Sequence, residues 1–106
     1  MSNDIYYRYE DHLVWSEDYS CDAQVRIHLL SYYVMKRTAC GVWLNHRGKR
    51  KFVLNNSNKR FAYETKELAL TSFIARKRRQ VLILRNQLET TEKALSLAAL
   101  ERGLNP

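Results

Sequence analysis

The sequence predicts an α+β protein: an antiparallel β-meander of four or five strands, at most curled into a small barrel-like sheet, followed by one long C-terminal α-helix. Three observations carry this. Thr65 to Gly103 holds no proline and no internal glycine and is built largely from Ala, Leu, Glu, Lys, Arg and Gln, which lose little side-chain freedom in a helix. Val25 to Arg37 alternates as a half-buried strand does. Glycine and asparagine turn signals then cut the chain into short runs of aromatic and β-branched residues.

In chain order, residues 5–15 (IYYRYEDHLVW) suit a first strand, because Tyr, Val and Trp favour a pleated surface. Ser16 to Gln24 is polar and reads as an exposed loop. Val25 to Arg37 is the clearest strand, long enough to require a bend or bulge, expected near Ser31. After a turn at Thr38–Gly41, Gly41 to Asn45 makes a short strand with Val42 and Leu44 on one face and Trp43 on the other. The turn HRGKR follows, with Gly48 able to take a positive φ. Lys51 to Leu54 pairs back, NNSNK turns again, and Arg60 to Tyr63 forms a last strand leading to the helix.

The helix has marked ends. Thr65 caps the first amides, Glu67 places a negative charge in the first turn, and Arg102, Gly103 and Pro106 supply the stop. Leu70, Ile74, Val81, Leu84, Leu88, Thr91, Leu95 and Ala98 alternate by three and four once Lys77 is admitted, which is a heptad seam with two imperfect positions. Such a helix is roughly 55 Å long, whereas four strands spaced ~4.8 Å apart cover ~20 Å. Its second half therefore needs another partner. Val81 to Leu84, VLIL, points all the way round the helix, so one face is expected on the chain's own sheet and the other against a second helix. The simplest partner is the same helix of a second copy, a homodimer whose seam is Ile74, Val81, Leu84, Leu88 and Leu95; the alternative is that the chain folds back over this turn alone.

At 106 residues the chain is expected to be one domain, residues 1–64 mostly sheet and 65–103 helix, with a modest core. An apolar content of 45% argues against disorder. No apolar run approaches the ~20 residues needed to cross a bilayer, and MSNDIYYRYE lacks the order of a secretion signal, so the expected location is the cytoplasm. Cys21 and Cys40, the two cysteines, form no CxxC pair and read as free thiols. His12, His28 and His46 match no zinc spacing, and no metal or other cofactor is expected.

Charge is more informative than composition. Residues 1–24 carry six acids and one base, residues 25–62 nine bases and no acid, and residues 63–106 eight bases and five acids, within a net charge of +7. An acidic leader thus precedes a strongly basic middle.

Candidate binding residues follow from this polarity. The hairpin tip His46–Lys51 supplies Arg47, Lys49, Arg50 and Lys51, joined by Lys59 and Arg60, a field that attracts phosphates or an acidic protein surface. The alternative is a solvated loop, or a match to the acidic leader. Arg76 and Arg79, three apart in the helix, suit bidentate capture of a phosphate or carboxylate. Glu89 and Lys93 read as ordinary i,i+4 support. Trp15, Tyr32, Tyr33, Trp43, Phe52, Phe61, Tyr63 and Phe73 are chiefly core candidates, although an aromatic on an open face beside basic loops would stack nucleic-acid bases. The acids of the leader have no partner base, nucleophile or phosphate loop, and no GxSxG, HExxH or Walker pattern occurs, so no catalysis is expected.

The words GVWL, KRKFVL and KRFAYETKELALTSFIARKRRQ, within Gly41 to Gln80, resemble a group of small proteins encoded by bacteriophages and prophages. The resemblance spans roughly residues 25–100 and is densest from Lys59 to Gln80, with Glu64 where proline is common. It implies an accessory phage product working inside a bacterial cell. The expected function is an inhibitor or modulator of a host or defence complex, for example an anti-CRISPR protein, acting through the basic hairpin and the helix. Its expected partner carries an acidic or nucleic-acid-bearing surface. The alternatives are a phage regulator that contacts DNA or RNA directly, and a structural or assembly subunit.

Overall fold

The computed structural model describes residues 4–15, 23–57 and 59–103. Strands β1 (Ile5–Trp15), β2 (Ala23–Arg37), β3 (Gly41–His46) and β4 (Lys49–Leu54) form one antiparallel sheet in the order β1-β2-β3-β4, and α1 (Lys66–Glu101) follows. The sheet is open rather than closed into a barrel. By packing, the chain divides into two compact units, Met1–Phe73 and Ile74–Pro106.

In the first unit, β1 and β2 run in continuous register from Ile5 opposite Tyr33 to Trp15 opposite Ala23. Of the loop expected over Ser16–Gln24, Ala23 and Gln24 belong to β2, and residues 16–22 lie outside the described part. The irregularity expected at Ser31 falls instead between Val34 and Lys36, while Ser31 pairs regularly with Tyr7. The physical reason is a change of partner: β2 spends Ala23–Tyr33 on β1 and Val34–Arg37 on β3, and the extra residue is absorbed where the second ladder begins.

β3 and β4 are longer than expected, since Asn45 opposite Arg50 and His46 opposite Lys49 extend the ladder and leave only Arg47 and Gly48 as the turn. Both turn residues have positive φ, 54° and 80°, the pair a type I′ hairpin requires. Asn45 Oδ1 accepts the Gly48 N–H at 2.9 Å. A Cβ at Gly48 meets no atom within 4 Å, so Gly48→Ala tests backbone strain alone and is expected to cost about 1 kcal/mol in urea unfolding. Arg47→Asn, placing a residue tolerant of this conformation, is expected to gain a few tenths.

The fifth strand expected at Arg60–Tyr63 is not formed. Only one bridge exists, in which Tyr7 N–H donates to Tyr63 O at 2.7 Å and Tyr63 N–H to Tyr7 O at 2.9 Å. The chain bends before it, since Phe61 packs with Tyr32 and His46 and Ala62 is fully buried. The core gathers Tyr6, Tyr32, Val42, Leu44, Val53 and Ala62, with Leu30, Val34 and Phe61 packed against it. Val42 and Leu44 are buried and Trp43 half-buried, as the period of two dictates.

Thr65 caps α1 as expected: its Oγ1 accepts the Leu68 N–H at 3.1 Å. Gly103 has φ 72° and its N–H donates to Leu100 O at 3.0 Å, which ends the helix, while Pro106 lies outside the described residues. Ala69 and Phe73 are the buried residues of α1. In the second unit, Val81, Leu82, Ile83 and Leu84 keep 46–60% of their surface exposed. Thr91 Oγ1 donates to Gln87 O, and Lys93 pairs with Glu89 at 3.1 Å. Among the described residues, no helix is long and apolar enough to cross a membrane.

Candidate functional site

The period of two sorts the basic hairpin into faces. Lys49 opposes His46 and Lys51 opposes Leu44, so these lysines share the core-side face of the sheet, whereas Arg50 opposes Asn45 on the other face. On that other face Trp43 and Phe52 pack with ring centroids 4.9 Å apart, each half-buried. The expected single cationic tip is thus two surfaces, each with its own aromatic group.

The core-side surface is the more elaborate. Tyr32, His46 and Phe61 contact one another, with centroid separations of 5.4, 5.2 and 5.1 Å. The Lys51 ammonium lies 4.8 Å and the Arg8 guanidinium 4.6 Å from the Phe61 ring centroid, both as cation–π partners. Arg8 also donates to Phe61 O and to Glu10, each at 2.8 Å, which fixes its head group. Alternation along β1 could have suggested that Arg8 joins this face, but Phe61 arrives from a distant bend that no local pattern announces.

Burial raises the Tyr32 hydroxyl above its ordinary value; Glu10 reinforces this, and Arg8 and Arg47 oppose it. The folded state therefore holds this proton more tightly than the unfolded chain. Its contribution to stability is complete below about pH 10, the unfolded tyrosine value, and is lost as pH rises through the folded value. Urea unfolding across that alkaline range is expected to show the fall in wild type and a shallower one in Tyr32→Phe.

Among the other candidates, Arg47, Lys49, Arg50, Lys51 and Lys59 are exposed. Arg60 is half-buried, ion-paired with Glu64 and stacked 4.5 Å from the Tyr63 ring centroid, so much of its binding capacity is spent within the bend. Arg76 is half-buried and Arg79 exposed, both in the second unit. The seam residues Ile74, Val81, Leu84, Leu88 and Leu95 are 40, 47, 54, 61 and 68% exposed.

The histidines hold one surprise. His12 and His28, sixteen residues apart, meet across β1 and β2 with Nδ1 atoms 2.8 Å apart. Only strand register reveals this. No group of three or more metal-binding side chains occurs among the described residues, and Cys40 is a free, exposed thiol, with Cys21 outside the described part.

Comparison with protein-family models, with curated proteins and with solved structures finds no match to this chain.

Proposed function

We propose that this chain is a non-enzymatic binding protein of phage or prophage origin that inhibits or modulates a bacterial host or defence complex in the cytoplasm, with CRISPR effectors as the leading example. The observation that carries the binding role is the exposed apolar run of α1, where Val81–Leu84, Leu88, Leu95, Leu97 and Leu100 are all at least 46% exposed. Isolated surface leucines are ordinary, but a helix apolar around its circumference favours a covering partner. The phage setting rests on the resemblance across Gly41–Gln80. The basic hairpin supplies electrostatic attraction to an acidic or nucleic-acid-bearing surface, and the net charge of +7 disfavours mimicry of DNA.

The test is expression of the chain in a CRISPR-proficient host challenged with a targeted phage, alongside crosslinked affinity purification. Restored plaque formation together with recovery of an effector subunit is the expected result. Both should disappear in Lys49→Glu/Arg50→Glu/Lys51→Glu. Unchanged immunity across effector types, with no host protein recovered, would refute the reading.

Direct nucleic-acid binding is the second reading, favoured by the half-exposed Trp43–Phe52 pair on the same face as Arg50. It predicts a mobility shift that weakens by orders of magnitude between about 50 and 200 mM salt if six or more phosphates are neutralised. No shift at low salt would remove it.

A further inference from the structure

We infer that α1 pairs with the same helix of a second copy in antiparallel direction, Ile74 of one beside Ala98 of the other. This goes beyond the binding role proposed above: it assigns the cover of the exposed α1 run to a second copy and leaves the basic hairpin as the surface that faces a host complex. The seam positions from Ile74 to Ala98, all exposed except the half-buried Lys77, alternate by three and four. In an antiparallel pair, knobs fill holes when the two kinds of seam position alternate across the interface. One register satisfies this with every position used: Ile74 beside Ala98, Lys77 beside Leu95, Val81 beside Thr91, and Leu84 beside Leu88 of the second copy. Nothing overhangs.

Charge selects the direction. Arg76, Lys77, Arg78 and Arg79 form an unbroken cationic run, while Glu89, Glu92 and Glu101 lie in the distal half. A parallel pair would stack the cationic run on itself and set Lys77 against Lys77 in the seam, a repulsive arrangement. The antiparallel pair lays that run across residues 93–96 of the second copy, a stretch with the single cation Lys93 and with Glu92 adjoining it. In the stated register the flanking residue Arg78 reaches Glu92 of the second copy, twice by symmetry. Lys77, half-buried and donating to Gln80 at 3.0 Å, lies one turn from the same glutamate. The cost is Arg85 near its own counterpart at the centre, where both side chains are exposed and solvated.

The direction is measurable by electron-spin distances in the full chain after Cys21→Ser and Cys40→Ser, with a single label at Ser96→Cys. The antiparallel register separates the two labels by roughly 30 Å along the axis, at ~1.5 Å per residue from its centre. A parallel pair would leave no axial separation, so a short distance overturns the inference while leaving self-association intact. A monomer by light scattering at 100-fold dilution steps and no spin pair at the highest concentration would overturn the pairing itself. As an independent check, Glu92→Arg should weaken the dimer tenfold or more and Arg78→Glu added to it should restore it; absence of rescue counts against this register.

Discussion

Gly41→Ala is expected to destabilise the first unit by about 3 kcal/mol or more. A Cβ at Gly41 would lie 2.1 Å from the backbone carbonyl oxygen of Val53 and 2.8 Å from Cζ of Phe52. The oxygen cannot rotate away, because Val53 is paired with Val42 and is buried at 2% exposure. Relief therefore requires β3 and β4 to separate or shift where they start to pair. The preceding turn resists this as well: Thr38 N–H donates to Gly41 O at 2.8 Å, and the Thr38 hydroxyl contacts both Gly41 N–H and O at 3.1 Å. Gly48→Ala is the control, since it adds the same methyl group in open space. Urea midpoints for the two variants should differ severalfold in their shift; equal shifts would mean that the close approach at Gly41 is readily relieved.

Much of this arrangement is legible in the residues. The helix is visible because its ends carry chemistry that can be named, Thr65 and Gly103, and its interior lacks breakers. β1 is legible because a pleated ribbon needs only local pattern. The bulge is not, because it depends on where β2 exchanges partners, and Ser31 looks like a weak point only when neighbours are ignored. Arg60–Tyr63 misleads for a related reason: its composition suits a strand, but Phe61 gains more by turning toward Tyr32 and His46 than its backbone would by extending the ladder. The same long-range contact decides the candidate site. Net charge identifies the hairpin, but only the pairing of Lys51 with Leu44 sends one lysine to Phe61 while Arg50 goes to the Trp43 side.

Leu44→Ala and Leu84→Ala remove the same atoms and are expected to fail in different ways. Leu44 is fully buried, at 0% exposure, among Tyr6, Tyr32, Val42 and Val53. Its truncation leaves a cavity that the surrounding rings cannot readily fill, a loss of about 2–5 kcal/mol that protein concentration should not change. For a domain of this size that is a fall in melting temperature on the order of 10–30 °C. Leu84 is 54% exposed within its own chain, so truncating it should change the stability of the isolated chain by less than about 1 kcal/mol. Its cost belongs to association. If α1 is covered by a second copy, wild-type melting rises with concentration by mass action, and Leu84→Ala should flatten that dependence while Leu44→Ala preserves it at a lower temperature. A wild-type melting temperature constant over a hundredfold range of concentration would mean that the self-pairing has to be abandoned.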